Sequence, residues 1–502
     1  MRWKESAPIN GLDLKSLKSE VQDGFALQLN NLLPDFGAVK VRRGYFPLIN
    51  FNTLMPVTRI MKFADAKQMI YASGSQLFIN GSPIYTGAQS DYWVEAYLKH
   101  NLYLCNGFDT AKVYNGTAVS DIGFTNALVS IQNYAWCANL NGEIVFGMPN
   151  SLDIYAPGVG VVSGPLNLFS LSQYAKRGGY IVCAVSWGRD ASDGFHSYSG
   201  FYTSEGELIV YEGAGFGDAS GDVSLVGNFY IGRPLGPRPY INYGAEIIFI
   251  TQSGLMPMSA IVANGEVIKR SDLFSDLINN LFADGPNSQE WCAHISPKQN
   301  IAIFNLPAEY GNRQAVMNIN TGAWSTFSGF DALDFADDFD GNLLIAGRDG
   351  TVYQYGGLSD NGGQIETTIQ FRYSKCGTDY NKLFKLFGLR LESSDEIRPT
   401  FTVAKDYLDK TLGFSESAGN TGNDWAITDD PNPALADPTD PSVGIFWDSE
   451  KWGGLYPKEL YKWHSISGYG QALSVICNIS TKDIDYKIYE NLYEFEVSRG
   501  KL

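Results

Sequence analysis

This 502-residue chain is short of charge, of histidine and of helical periodicity, and each shortage closes off a class of function. Only 18% of residues are charged, and 37 Lys and Arg stand against 54 Asp and Glu, a net charge of −17. A dedicated nucleic-acid binder needs a basic stripe to release phosphate counterions, and this composition argues against one. The four histidines, His100, His196, His294 and His464, show no HxH or HxxxH spacing, so a zinc or iron site built on them is not expected. The six cysteines (Cys105, Cys137, Cys183, Cys292, Cys376 and Cys477) include no CxxC pair, which removes metal knuckles and redox motifs. Scattered singly through apolar surroundings in a large core-forming chain, they read as reduced, buried thiols, with folding in a cytoplasm. No apolar run reaches 18 residues, so no membrane span is expected. Met1-Arg2-Trp3-Lys4-Glu5-Ser6-Ala7-Pro8 lacks the apolar core of a signal peptide, and export by the usual route is not expected.

What is abundant is turn and strand chemistry: 53 Gly, 29 Tyr and 29 Phe. These describe an all-β, turn-rich chain. An apolar run, a Gly-containing turn and a second apolar run recur about seven times. The clearest copy is Leu343-Leu344-Ile345-Ala346-Gly347-Arg348-Asp349-Gly350-Thr351-Val352-Tyr353. Others begin at Met69 and Leu102 and near Ile144, Phe201, Ile247 and Ile301. Two β-rich runs joined by Asp-Gly, Asn-Gly or Ser-Gly form a hairpin, and starts spaced by about 30 to 60 residues suit propeller blades of about 40 to 50. A β-propeller of six or seven blades is expected over 58–360. Residues 1–57 form an N-terminal arm in which Leu12, Leu14, Leu17 and Val21 make either a short amphipathic turn or an extended strip. The Gly-rich linker Gly356–Gly363 leads into longer strands and an antiparallel sandwich-like C-terminal domain over 361–502. That domain is interrupted by an acidic, Pro- and Asn-rich surface loop at about 415–450. Ser271–Phe282 is the best candidate helix, with Ser271 as N-cap and Leu273, Leu277, Ile278 and Leu281 on one face.

Four stretches invite a chemical reading. Gly213-Ala214-Gly215-Phe216-Gly217 resembles a phosphate loop, but Asp218 stands where the third glycine belongs and no crossover helix follows. Asp338, Asp340 and Asn342 alternate like the start of a calcium loop, yet Leu343 occupies the glycine position and Asp349 the place of the closing Glu. The preferred reading there is a hairpin turn. Asp349-Gly350-Thr351 lacks the S-x-D-x-G-x-T-W spacing of the Asp boxes of propeller sialidases. Trp93, Trp136, Trp187, Trp291, Trp324, Trp447, Trp452 and Trp463 suit sugar stacking in principle, but most lie in apolar strand-like runs and read as blade packing. No G-x-S-x-G elbow occurs. No catalytic, cofactor-binding or metal-ligating residue is assigned, no cofactor is expected, and the chain does not read as an enzyme.

The run Leu29-Asn30-Asn31-Leu32-Leu33-Pro34-Asp35-Phe36-Gly37-Ala38-Val39-Lys40-Val41-Arg42-Arg43-Gly44-Tyr45 resembles the opening of the nozzle, hub or DNA-stabilisation proteins of short-tailed (podovirus) phage tails. Asn318-Ile319-Asn320-Thr321-Gly322-Ala323-Trp324-Ser325 and Gly341–Tyr355 are similar to the last blade of those proteins. The resemblance implies a structural virion protein, a homohexameric ring that forms the distal tail tube and attaches to the head-to-tail adaptor. Tail fibres, spikes or a needle are further partners it implies. DNA passes through the lumen without specific binding, retained until ejection. Subunit contacts on the order of 2,000 Å² or more, closing head to tail, would follow. The virion tail, assembled in the host cytoplasm, is the implied location. Acid repels DNA, so net acidic lumen loops are expected, although negative charge also serves simple solubility. The alternative is a glycan-binding or glycan-degrading propeller of a phage tail.

Overall fold

A computed structural model describes residues 1–191, 194–218, 221–264, 273–283, 285–311, 313–407 and 458–498. The chain forms two compact units. One comprises Tyr45–Val316 and Ser328–Tyr355; the other comprises Met1–Gly44, Met317–Phe327 and Gly356–Leu502. The expected acidic loop at about 415–450, with Trp447 and Trp452, lies outside the described residues.

The first unit is a β-propeller of antiparallel sheets. Blade 1 runs Val57–Phe63, Gln68–Ser73, Gln76–Ile79 and Ser82–Thr86; blade 2 runs Val94–Leu98, Asn101–Cys105, Lys112–Tyr114 and Val119–Asp121. Blade 3 is Trp136–Leu140, Glu143–Gly147, Asp153–Ala156 and Asn167–Ser170. Blade 4 has longer strands, Ile181–Ala191, Gly194–Thr203, Glu207–Ala214 and Asp222–Tyr230. Blade 5 keeps three, Tyr240–Tyr243, Glu246–Thr251 and Gly254–Pro257, followed by the helix Met258–Asn264. Cys292–Ser296, Ile301–Asn305 and Arg313–Asn318 belong to blade 6. Blade 7 joins Ala332–Asp337, Leu343–Gly347 and Thr351–Tyr355 to Tyr45–Asn50. Six of these seven are sheets confined to this unit.

The burial pattern explains the sequence pattern. Second strands such as Glu143–Gly147, Ile301–Asn305 and Leu343–Gly347 are buried at every residue, because neighbouring blades cover both faces. Such strands must be near-continuously apolar. Outer strands such as Ser82–Thr86 and Tyr45–Asn50 are largely exposed. Between blades the contacts include aromatic pairs: Phe63 meets Tyr114 edge-on at 5.1 Å, and Phe169 of blade 3 meets Tyr211 of blade 4 at 5.6 Å. Asn141 and Gly142 close the first hairpin of blade 3, both with positive φ (52° and 88°), the requirement of a two-residue turn matched to strand twist. The ring is sealed by hydrogen bonding rather than covalently: Tyr45–Asn50 pairs antiparallel with Thr351–Tyr355, and Asn50 Nδ2 donates to Thr351 Oγ1 at 2.7 Å.

The second unit is a sandwich. One sheet contains Lys382–Ser393, Lys458–Gly470, Tyr486–Val497, Ala38–Val41, Leu32–Asp35 and Arg2–Ser6. The other contains Gly11–Leu12, Phe25–Asn30, Ile365–Phe371, Leu473–Thr481 and Thr400–Lys405. Phe387 of the first sheet meets Phe371 and Phe401 of the second at 5.6 and 5.4 Å.

Three expectations change. The N-terminal boundary moves from 57 to 44, because Tyr45–Asn50 is a propeller strand and residues 1–44 are built into the sandwich. Of the two readings of Leu12–Val21 the extended strip falls away: the stretch runs through bends and a turn in which the Glu20 N–H donates to the Leu17 carbonyl at 2.8 Å, with Leu12 and Val21 buried and Leu17 exposed. Over Ser271–Phe282 the structure has a 3₁₀ segment, Asp276–Leu281, broken at Ile278, in place of an α-helix. The α-helix lies earlier, at Met258–Asn264, and Ser271 falls outside the described residues.

Candidate functional site: the axial cavity

The first strand of each blade lines the propeller axis, and the residues near its start enclose a cavity of about 380 Å³. Arg59, Glu95, Arg238, Tyr240, His294 and Asp334 supply its polar wall, and Cys137, Cys183 and Cys292 its thiols. Arg59 and Asp334 sit in runs otherwise made for burial, Val57-Thr58-Arg59-Ile60-Met61 and Ala332-Leu333-Asp334-Phe335-Ala336, whereas Arg238 lies in the segment before Tyr240.

The charges pair with one another across blades. Arg59 grips Glu95 of blade 2 through Nε and Nη2 at 2.9 and 2.5 Å, and its Nη1 donates to both oxygens of Asp334 of blade 7 at 3.1 Å. Arg238 Nη1 reaches Asp334 Oδ1 at 3.2 Å, and the Ile60 N–H donates to Oδ2 at 2.9 Å. Burial opposes the Arg59 charge, but Asp334 and Glu95 outweigh it and hold the guanidinium protonated more firmly than usual. Burial pushes the Asp334 carboxyl up from its ordinary value, against the pull of the Arg59 guanidinium and the Ile60 N–H. Burial also raises the Tyr240 hydroxyl and the Cys137, Cys183 and Cys292 thiols, so none of them is poised as a nucleophile. His294 Nε2 lies 3.2 Å from Asp337 Oδ1 without an aligned hydrogen bond. The arrangement fastens three blades and offers no nucleophile with an adjacent base.

The other sequence candidates are equally absorbed by the fold. The phosphate-like loop does hold an anion, and that anion is the chain's own. Glu143, fully buried, takes N–H groups from Gly158 and Gly217 on Oε1 (2.9 and 2.8 Å) and from Gly215 and Phe216 on Oε2 (3.2 and 2.7 Å). Asp338 accepts from the Asp340 and Asn342 N–H groups at 2.8 Å, which makes the calcium-like stretch a turn between the first two strands of blade 7. Asp349 accepts from Thr351 N at 3.1 Å and from the Tyr353 hydroxyl at 2.5 Å. The structure does not bring the histidines together: His100 pairs with Asp65, His196 with Glu212, His294 faces Asp337, and His464 packs on Phe401. All six cysteines are free and buried. Trp93, Trp136, Trp187, Trp291 and Trp324 are buried, and the indole N–H groups of Trp136, Trp187 and Trp291 donate to backbone carbonyls. Trp463 is half-buried, with Arg2 5.3 Å over its ring. Among the described residues no group of three or more His, Cys, Asp or Glu is arranged to hold a metal, and no helix is long and apolar enough to cross a membrane.

Sequence reasoning missed Arg59, Asp334 and Glu143, whose available signal was a lone charge inside a run otherwise suited to burial. It did single out Leu29–Tyr45, and the structure gives those residues buried work in the sandwich. Arg42, with no exposed side-chain surface, holds Asp360 by two bonds of 2.8 and 2.7 Å, Asn31 Oδ1 at 2.7 Å and the Arg43 carbonyl at 2.8 Å. Its guanidinium lies 5.8 Å over the Phe327 ring. Asn31, at φ 58°, donates to the Glu366 carbonyl at 2.7 Å, and Asn318 Nδ2 donates to the Pro34 carbonyl at 2.8 Å. A Cβ on Gly44 would stand 2.0 Å from the Ser359 carbonyl oxygen, so no other residue fits there.

No family model and no curated protein matches the chain. Among solved structures it is similar to the WD40 β-propeller domain of Doa1, at 12% identity over 62% of this chain and 97% of that one, with a TM-score of 0.38. It is also similar to YCF48 bound to D1 peptide, at 11% identity over 61% of this chain and 94% of that one, with a TM-score of 0.35. The fold class, all-β with a β-propeller, is established by the strand topology.

Proposed function

We propose that this chain is a structural virion protein of a short-tailed phage. It forms the distal tail tube, a homohexameric nozzle or hub around the DNA exit channel that attaches to the adaptor, retains the packaged genome and opens for ejection. The observation that carries this reading is the joint at Pro34 and Arg42. Two of the stretches that resemble the tail proteins, 284 residues apart, meet where Asn318 donates to the Pro34 carbonyl, and Arg42 of the same run is buried against Asn31 and Asp360. A structural role also suits an axial cavity whose charges are spent on each other, and on this reading the chain is not an enzyme.

Native mass measurement with negative-stain imaging of the full chain tests it. A six-fold ring is the expected result, with net acidic residues lining its lumen. A monomer that binds glycan would replace this reading with the glycan-active alternative, which the burial of five tryptophans disfavours.

A further inference from the structure

The chain carries Asn-Gly dipeptides at Asn10, Asn80, Asn106, Asn115, Asn141, Asn264 and Asn361. Each can rearrange without an enzyme. The backbone nitrogen of the glycine attacks Cγ of the asparagine, and glycine has no Cβ to block the approach. The new N–Cγ bond closes a cyclic imide as the Cγ–Nδ2 bond breaks, and the glycine N–H proton departs with the amide as ammonia. Solvent water then adds to either imide carbonyl, leaving aspartate or isoaspartate. The attack needs a glycine N–H that is not hydrogen-bonded, an amide able to swing and room beside the glycine.

The fold withholds these conditions from most of the pairs. Gly11 N donates to the Pro8 carbonyl at 3.0 Å, Gly107 N to the Tyr134 carbonyl at 2.9 Å and Gly142 N to Asn139 Oδ1 at 2.9 Å. The Asn106 amide is also held by Ser90 and Asp109, and that of Asn141 by Ser186, Ser199 and Gly213. Asn115 Oδ1 accepts from Thr117 N at 3.0 Å and Ala118 N at 3.1 Å. The Phe63 ring stands 3.0 Å from where a Cβ on Gly116 would lie. Asn264-Gly265 runs outside the described residues.

Asn80-Gly81 and Asn361-Gly362 meet none of these restraints. Both asparagines are exposed, and neither their amides nor the Gly81 and Gly362 N–H groups have a hydrogen-bond partner among the described residues. A Cβ on Gly81 or Gly362 would meet nothing within 4 Å. Both pairs have positive φ at each residue, 49° and 81° at one and 47° and 81° at the other, as a two-residue turn requires. The Asn80 turn joins the third and fourth strands of blade 1, and Asn115 opens the equivalent connection of blade 2. Neighbouring blades thus carry the same dipeptide at the same place, one restrained and one not.

We propose that Asn80 and Asn361 are sites of spontaneous conversion to aspartate and isoaspartate in the folded protein, while the fold protects Asn10, Asn106, Asn115 and Asn141. Each conversion makes the net charge of −17 more negative. At Asn361 it reaches further. Asp360 and Gly363 bond to each other across that turn at 3.1 and 2.7 Å, and Asp360 takes both carboxylate contacts of Arg42. Isoaspartate inserts a methylene into the main chain there and draws Asp360 away from Arg42. The inference does not depend on the tail reading.

The test is to hold the full-length protein in mildly alkaline buffer for as long as a parallel sample, unfolded in denaturant, takes to convert. Both are then digested at acid pH and each Asn-Gly peptide is quantified by mass spectrometry, with isoaspartyl methyltransferase labelling to mark isoaspartate. In the folded protein Asn80 and Asn361 should convert about tenfold or more faster than the protected asparagines, and in denaturant the rates should converge. Asn361→Gly keeps a Gly-Gly turn without the amide, so its sandwich transition should survive ageing while that of the wild type falls. Folded-state rates that fail to separate the two groups would overturn the proposal. So would an Asn80 or Asn361 that stays intact in the folded chain. An Asn361→Gly variant that ages as the wild type does would break the link to Arg42.

Discussion

The two units differ in how their most buried cations are answered. The propeller sets guanidinium against carboxylate across its axis, so that Arg59, Glu95, Asp334 and Arg238 bridge elements from blades 1, 2 and 7 and the segment before blade 5. The sandwich answers Lys382 with main-chain carbonyls, and Arg42 with side chains and one carbonyl. Lys382, with no exposed surface, donates to the carbonyls of Thr378, Tyr380 and Gln471 at 2.6–2.8 Å, and burial lowers its ammonium below the ordinary value. Arg42 combines Asp360 with the Arg43 carbonyl. A propeller repeats near-identical surfaces from blade to blade, so side-chain pairs that name particular blades supply specificity that apolar packing alone lacks. A sandwich built from both ends of a chain needs loops held in place, and carbonyls are what loops present.

Breaking each arrangement separates them. Asp334→Ala leaves Arg59 and Arg238 facing each other without their shared carboxylate, and should cost about 3–5 kcal/mol in denaturant unfolding of the full chain. Glu95 limits the loss, so the double change Asp334→Ala, Glu95→Ala should cost more than either alone. Arg42→Ala should cost about 3 kcal/mol, confined to the calorimetric transition of the sandwich, with Arg42→Lys failing to restore it because an ammonium cannot match the bidentate contact with Asp360. A loss spread equally over both transitions would remove the contrast between the units. The smallest effect belongs to Glu143→Gln, about 1 kcal/mol at neutral pH, since the amide retains one acceptor oxygen for the loop N–H groups. Burial raises the Glu143 carboxyl above 4.5, against the pull of the N–H groups. Between that value and the folded one, the folded chain keeps a proton that the unfolded chain has released, so this group's contribution falls as pH rises through the window. Stability curves of wild type and Glu143→Gln should therefore diverge in the wild type's favour on acidification towards pH 4.5.

The fold was legible wherever burial is two-sided. Each of the seven recurring runs coincides with the second strand of a blade, from Gln68–Ser73 and Asn101–Cys105 to Ile301–Asn305 and Leu343–Gly347. Such strands have neighbours on both faces and announce themselves as unbroken apolar runs. The first strands Val57–Phe63 and Ala332–Asp337 are largely or wholly buried too, but their charges break the apolar run, so Arg59 and Asp334 did not stand out as buried residues. The glycine loop at 213–217 is only superficially like a phosphate loop; the carboxylate its N–H groups hold, Glu143, lies 70 residues earlier, and no local pattern joins them. Boundaries near 44 and 57 were illegible for a topological reason. A strand that closes a ring pairs with the far end of the domain, and sequence proximity assigns it to the wrong neighbour.

The closing strand sets a clock. Asn50 and Thr351 are 301 residues apart, and a ribosome adds about 5–20 residues per second, so Tyr45–Asn50 waits about 15–60 s for its partner to be made. During that interval Phe46 and Leu48 sit on a strand with a free edge, in a cell where many copies are synthesised at once. The same six residues that finish the ring are thus one point at which a nascent chain can be completed by another.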